Sequence, residues 1–376
     1  MVKRAIESNI LKRLNDEKVI IIYGARQVGK TTLLKKIFEN IEDVLWLNGD
    51  ENYTHLLLED ANRDRFKTLI GNNKFLVIDE AQRIENIGLK LKIIHDTIKD
   101  VKVVVSGSSS FVLANSINEP LTGRKWEFQL HPFSFEELVS NTNLLKEITS
   151  LERRLLFGSY PEVVTKSEDA KALLIQLSSS YLYKDVLEFE KLLKSNKLSN
   201  LLTALAFQIG SEVSLSELSR LIGLDVKTVD KYLAILEKSF VIFSIPSFSR
   251  NLRNEIKKGK KYYFCDIGIR NALINQFAPL TSRNDVGQLW KNYLMSERQR
   301  YLSNNNIYCS SYFWRTHSQQ EIDYIEERDG VLSTYEFKFG SNKSVKRNKL
   351  FETTYPNSTF TVVNKDNYEK FLTALI

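Results

Sequence analysis

The sequence predicts an α/β protein: a parallel sheet wrapped by helices, then a helical middle, then a small α/β C-terminal unit. Three observations carry this. Up to about residue 140, short β-branched runs alternate with helix-period segments, the pattern of a parallel sheet buried on both faces. From about 140 to 250 the apolar residues recur at helix spacing. The rest holds a helical stretch and two alternating strands around Asp329-Gly330, a two-residue turn signal.

At 376 residues the chain exceeds a single core, and boundaries are expected at 1–140, 141–265 and 266–376. A composition of 43% hydrophobic and 26% charged residues is ordinary for a globular protein. The net charge of +7, from 53 basic and 46 acidic residues, permits an acidic partner such as nucleic acid without requiring one. Cys265 and Cys309 are the only cysteines, which excludes a disulfide framework and a four-cysteine zinc site. The opening MVKRAIESNILKRL alternates charges through an amphipathic helix and lacks a signal-peptide core. Nothing approaches a membrane span of ~20 apolar residues, so a cytoplasmic location and no membrane partner are expected.

Val19–Ile22 is a short apolar strand that runs into Gly24, Ala25, Arg26, Gln27, Val28, Gly29, Lys30 and Thr31. These residues match G-x-x-x-x-G-K-[ST], and Thr32–Phe38 leaves the loop as a helix carrying Leu33, Leu34 and Ile37. In that context the backbone N–H groups from Gly24 to Thr32 converge on phosphates at the positive end of the helix. Lys30 reaches the β- and γ-phosphates, and the Thr31 hydroxyl ligates Mg²⁺.

Asp43–Leu47 reads as the second strand and Phe75–Ile78 as the third, ending in Asp79-Glu80. Asp79 is placed to hold the Mg²⁺ shell, and Glu80 to orient and deprotonate the attacking water. Val101–Val105 ends in Ser106-Gly107-Ser108-Ser109-Ser110. Ser106 or Ser108 could touch the γ-phosphate, and an N-cap for a following helix accounts for the serines as well. Arg124, just before the strand Lys125–Leu130, reads as an arginine finger or as an ordinary surface arginine; action in trans would require an oligomer. The guanine-reading N-K-x-D signature is missing, since Asn364-Lys365-Asp366 has the wrong spacing, so ATP is the expected nucleotide.

In the middle, Leu151–Phe157, Ala172–Tyr183 and Leu198–Gln208 read as helices. Leu215–Ile222, the turn Gly223-Leu224-Asp225, a helix Val226–Lys238 and a strand Val241–Ile245 have the layout of a winged helix-turn-helix. On the second helix, Lys227, Lys231 and Lys238 are offset by Asp230 and Glu237, which favours a packing module over a DNA reader. Arg250, Arg253, Lys257, Lys258, Lys260 and Lys261 then form a basic cluster at the wing position, able to grip phosphates or to be a solvated loop.

The order of motifs resembles the bacterial and archaeal AAA-type ATPases that carry a C-terminal restriction-endonuclease-like domain of uncertain function. The matching stretches include GARQVGKTTLL (24–34), FLVIDEAQRI (75–84), VVVSGSSS (103–110) and LTGRKWEFQLHPFSFEEL (121–138). Farther on are GSYPEVV (158–164), DIGIRNAL (266–273), YFWRTHSQQEIDYI (312–325) and YEFKFG (335–340). Ser159 departs from the family, which tends to have a second glycine there.

The C-terminal unit reads as a helix Asp285–Leu302, a strand Ser311–Arg315 and a hairpin of Glu321–Ile325 with Thr334–Phe339. On that hairpin Asp323, Glu336 and Lys338 reproduce the D…(D/E)-x-K pattern of restriction-type nucleases. Two carboxylates there can hold Mg²⁺, and the lysine can orient water. The superfamily's usual metal-directed glutamate, four residues after a glycine, is replaced: counting from Gly287, the position is Lys291. Glu297 either substitutes for it or is solvated. A nuclease-like fold with weak or no cleavage is therefore expected. The resemblance implies a Mg²⁺-dependent ATPase that couples hydrolysis to conformational change on or near DNA. The alternative is an ATP-dependent switch that binds protein partners through an inactive nuclease-like domain.

Overall fold

The computed structural model describes residues 2–59, 62–108, 120–179, 195–250, 259–316, 319–340 and 345–373. The first sheet contains β1 (Val19–Tyr23), β2 (Val44–Asn48), β3 (Phe75–Asp79), β4 (Lys102–Gly107) and β5 (Lys125–Gln129). All its pairs are parallel, in the order β2-β3-β4-β1-β5. β1 sits inside because neither of its faces carries a charge. Val19 and Ile21 join Leu47, Ile78 and Val105 in one core, while Ile20 and Ile22 join Leu33, Val77 and Val104 in the other. The helix Lys30–Ile37 covers the second face and Ile87–Thr97 the first.

Registers Asn48–Asp79, Ile78–Val105 and Tyr23–Gly107 bring the C-terminal ends of β2, β3, β4 and β1 to one edge. Ligands of open parallel sheets bind at that edge. Register Val19–Lys125 puts the start of β5, and Arg124 before it, at the opposite edge.

The middle holds helices Leu144–Thr149, Leu151–Phe157, Pro161–Thr165, Ser195–Phe207, Leu215–Ile222 and Val226–Lys238. Its antiparallel sheet, β6 (Glu212–Val213), β7 (Ile242–Pro246) and β8 (Lys260–Phe264), has the order β6-β8-β7. Local chemistry sets the turn between the last two helices. Ser214 accepts from Glu217 N at 3.3 Å, Gly223 closes the first helix at φ 66°, and Asp225 accepts from Thr228 N at 2.9 Å to start the next. Of the basic cluster, Arg253, Lys257 and Lys258 lie outside the described residues. Lys260 and Lys261 belong instead to β8. Lys261 is buried, with Nζ 2.5 Å from Glu321 Oε1 and 4.8 Å from the Phe313 ring centre, so it cannot grip a phosphate.

The C-terminal sheet, β9 (Ser310–Arg315), β10 (Glu321–Arg328), β11 (Val331–Phe337) and β12 (Thr359–Val363), has the order β12-β11-β10-β9. β10 and β11 form a hairpin closed by Asp329 at φ 50° and Gly330 at φ 81°, the primed turn that two-residue hairpins favour. β12, which pairs parallel with β11, is missing from the sequence expectation.

The helix Val286–Asn304 is buried on nearly every side, and its polar residues tie the parts together. Arg298 forks onto Glu326 at 2.7 and 3.0 Å. Arg300 donates to Phe133 O at 2.9 Å, Glu297 Oε1 at 2.6 Å, Cys265 O at 2.6 Å and Asp266 Oδ2 at 3.2 Å. Asp266 Oδ2 also accepts from Ser159 N at 2.9 Å. Gly158 lies at φ 66°, and a Cβ there would overlap the Asp266 carboxylate. The stretches GSYPEVV and DIGIRNAL thus meet in one buried junction.

Candidate functional site

The loop after β1 is shaped by close approach. A Cβ on Gly24 would overlap the Leu130 carbonyl oxygen, while Leu130 N donates to Tyr23 O at 2.7 Å. Gly29, at φ 95°, turns the chain into the helix at Lys30. Lys30 is buried, and its Nζ donates to the carbonyls of Gly24 and Ala25, each at 3.0 Å. Those contacts hold the cation over the loop, where phosphate oxygens can exchange with the carbonyls. Ala25 and Val28 are buried in the core, Arg26 is half-buried and Gln27 is left-handed at φ 60°. On one side, Thr31, Asn48, Glu51 and Asp79 line a cleft of about 490 Å³. On the other, Gly29 and Thr32 border a largely apolar cavity of about 230 Å³ walled by Val2, Leu33 and Phe133.

At the ends of β3 and β4, buried Ser106 donates its hydroxyl to Asp79 Oδ1. Asp79 therefore presents a fixed carboxylate toward the Thr31 cleft. Glu80 is left-handed at φ 49°, a costly conformation that recurs at functional sites. Gln82, overlooked in the sequence reading although it stands two positions after Glu80, donates to Glu80 Oε2 at 2.5 Å. Its Oε1 accepts from the Ser108 N–H at 3.1 Å. Ser108 is buried beside them; Ser109 and Ser110 lie outside the described residues.

Arg4 also escaped the sequence reading. Its buried guanidinium donates to Val28 O of the loop at 2.8 Å, Glu137 Oε1 at 3.0 Å and His131 O at 2.5 Å. No local pattern signals it, because Glu137 lies 133 positions away. Glu137 is itself locked in a capping box with Ser134. Burial first, then the charges of Arg300 and Arg4, depress His131 to about 3, so this imidazole stays neutral.

Arg124 lies away from the phosphate loop. It precedes β5 at the edge remote from the phosphate loop, where its carbonyl accepts from Val19 N at 2.9 Å and its Nε donates to Asp96 Oδ1 at 2.9 Å. It cannot serve the nucleotide site of its own chain.

The C-terminal carboxylates are brought together, as the register Tyr324–Tyr335 sets Asp323 beside Glu336. Their environment differs from a metal centre. Lys291 donates to Asp323 Oδ1, Phe337 N donates to Oδ2 at 3.0 Å, and Lys338 Nζ lies 3.1 Å from Glu336 Oε2. Burial works to raise Asp323, but the Lys291 charge and hydrogen bond hold it below the usual range. Among the described residues no group of three or more metal-ligating side chains is assembled. Asp323 and Glu336, expected to hold Mg²⁺, are each paired with a lysine here. Glu297 is neither ligand nor solvated: its carboxylate is buried between Phe135 N, at 2.7 Å, and Arg300.

On the helix Val226–Lys238, Val229, Tyr232, Leu233 and Leu236 face inward. Lys227, Asp230, Lys231, Ala234 and Lys238 are exposed on the opposite face.

Residues 16–139 match a family model described as an AAA domain. Residues 148–280 and 286–373 match two domains of unknown function, DUF8612 and DUF4143. An uncharacterized protein of Mycobacterium tuberculosis is 24% identical over 352 residues, covering 92% of this chain and 76% of the relative. One from Methanocaldococcus jannaschii is 24% identical over 360 residues, covering 89% and 78%. The Walker-type ATPase of Pyrococcus abyssi is similar in fold, with a TM-score of 0.51 and 16% identity over 73% of this chain and 96% of that one. No helix among the described residues is long and apolar enough to cross a membrane. With the loop, the strand-end acids and the sheet order converging on one edge, residues 16–139 have the P-loop ATPase fold and are similar to the AAA-domain family.

Proposed function

We propose that this protein is a Mg²⁺-dependent ATPase whose hydrolysis cycle moves its middle and C-terminal parts while it engages DNA. The observation that carries the ATPase reading is the cluster of Lys30, Thr31, Asp79, Glu80 and Ser106 at the C-terminal edge of one parallel sheet. Thr31 and Asp79 offer hard oxygen donors on one cleft, a set that suits Mg²⁺. The ion, when bound, neutralises phosphate charge. Loop N–H groups and Lys30 hold the β- and γ-phosphates, and the apolar cavity beside Thr32 accepts the base. Glu80 takes a proton from the attacking water as its oxygen bonds to the γ-phosphorus and the bridging oxygen leaves with ADP.

Coupling is supported by bonded continuity. Arg4 joins the loop carbonyl of Val28 to Glu137, and Phe135 N joins that same segment to Glu297 on the C-terminal helix. We assign 1–140, 141–265 and 266–376 as the moving units. The DNA reading rests on the middle unit as a winged helix with the exposed Lys227, Lys231 and Lys238 stripe outward. The paired Lys291 and Asp323 favour a nuclease-like C-terminal unit that does not cut, which also keeps the protein-binding switch as the second reading. Duplex DNA should raise the ATPase rate several-fold. A rate unchanged by DNA, with no DNA retained at low salt, would leave the switch as the function.

A further inference from the structure

We propose that Gln82 is a positioning residue that sets the direction of the Glu80 carboxylate and ties it to the end of β4. The inference rests on the reading of Glu80 as the base. The Glu80 backbone is already fixed: φ 49° and ψ 39° place it in the left-handed region, and Gly49 N donates to Asp79 O at 2.8 Å. A Cβ on Gly49 would overlap the Glu80 carbonyl oxygen, so β2 closes directly on this turn. The side chain keeps three torsions of its own, and the contact that orients it is the Gln82 amide at 2.5 Å.

A carboxamide is suited to this place because it donates at one end and accepts at the other. Gln82 does both, with its oxygen taking the Ser108 N–H at 3.1 Å. The end of β4 therefore touches both acids, Asp79 directly through the Ser106 hydroxyl and Glu80 through Gln82. A shift of this strand end re-aims the base, while the loop that binds phosphate is left alone. A glutamate at position 82 could not donate, and two carboxylates would then face each other at hydrogen-bond distance.

The test compares Gln82→Met, Gln82→Glu and Glu80→Gln in the full-length protein, reading kcat, KM for ATP and melting temperature. Gln82→Met should lower kcat by about ten- to a hundred-fold with KM nearly unchanged. Gln82→Glu, isosteric and half-exposed, should lower kcat at least as far with KM nearly unchanged, since a carboxylate cannot donate to Glu80. Glu80→Gln should bind ATP and not turn it over. A purely structural Gln82 would lower the melting temperature and change KM together with any fall in kcat, which overturns the inference. Parental kcat in both Gln82 variants, beside an inactive Glu80→Gln, overturns it as well and spares the base. Parental turnover by Glu80→Gln removes the base assignment, and the role of Gln82 falls with it.

Discussion

At the scale of single residues, charge and burial decide what each group can do. Lys30 is a cation in a buried loop, held by two carbonyls, and its removal leaves the phosphates without the cation the loop supplies. Lys30→Ala is expected to lower ATP hydrolysis by at least a hundred-fold in a phosphate-release assay; parental turnover would sink the site assignment. Glu336 offers a test of a different kind. Burial first, then the neighbouring Asp323 charge, pushes its carboxyl up to about 7 against the pull of Lys338. A carboxyl whose folded pKa lies above its ordinary 4.5 keeps its proton on folding. Its contribution is complete below about 4.5 and is lost as pH rises through 7. Urea midpoints between pH 5 and 8 should show the parent losing on the order of 2 kcal/mol that Glu336→Gln does not lose. Equal slopes in the two proteins would show that Glu336 titrates in its ordinary range.

At the scale of elements, the same residue type takes opposite roles according to where its strand or helix packs. Lys261 on β8 is sealed against Glu321 and Phe313, whereas Lys227 and Lys238 stand in solvent. Lys261→Ala should therefore cost about 1–2 kcal/mol of stability, since Glu321 keeps Arg315 at 3.9 Å and part of its hydration, with little effect on DNA affinity. Reversing Lys227, Lys231 and Lys238 to Glu should cost at most about 1–2 kcal/mol of stability, weaken DNA binding and flatten its salt dependence. An unchanged salt slope in the triple variant would remove this helix from the DNA contact. Helix ends were legible because caps are local: Gly223 and Asp225 mark the turn in the sequence as they do in the structure. The role of β8 was not legible, since a Lys-Lys-Tyr-Tyr-Phe run reads as basic until its partners on β7 and β10 are known.

At the scale of the whole molecule, the Arg300 junction binds the ATPase sheet, the middle and the C-terminal helix through Phe133, Cys265, Asp266 and Glu297. Replacing Arg300 with Met leaves two buried carboxylates without their cation, so a loss of roughly 3–5 kcal/mol is expected. Calorimetry should then resolve two melting transitions where the parent shows one. A single transition at the parental temperature would mean that the parts are joined by their apolar contacts alone.

The sequence by itself determined the parallel sheet, the phosphate loop, the acids at the end of β3, the helix–turn–helix and the C-terminal hairpin. Each is written in a contiguous stretch, as hydrophobic period, glycine placement or capping residue, so no distant partner is needed to read it. Only the tertiary structure decided the fate of the groups whose meaning depends on a partner far along the chain. Arg4 meets Glu137, Gln82 meets Ser108, Lys291 meets Asp323 and Arg300 meets Asp266, while Arg124 is carried to the far edge by strand direction. A charge near a strand end can serve a phosphate, a metal or a neighbouring side chain. Which of these it serves is fixed by the long-range packing that excludes water around it.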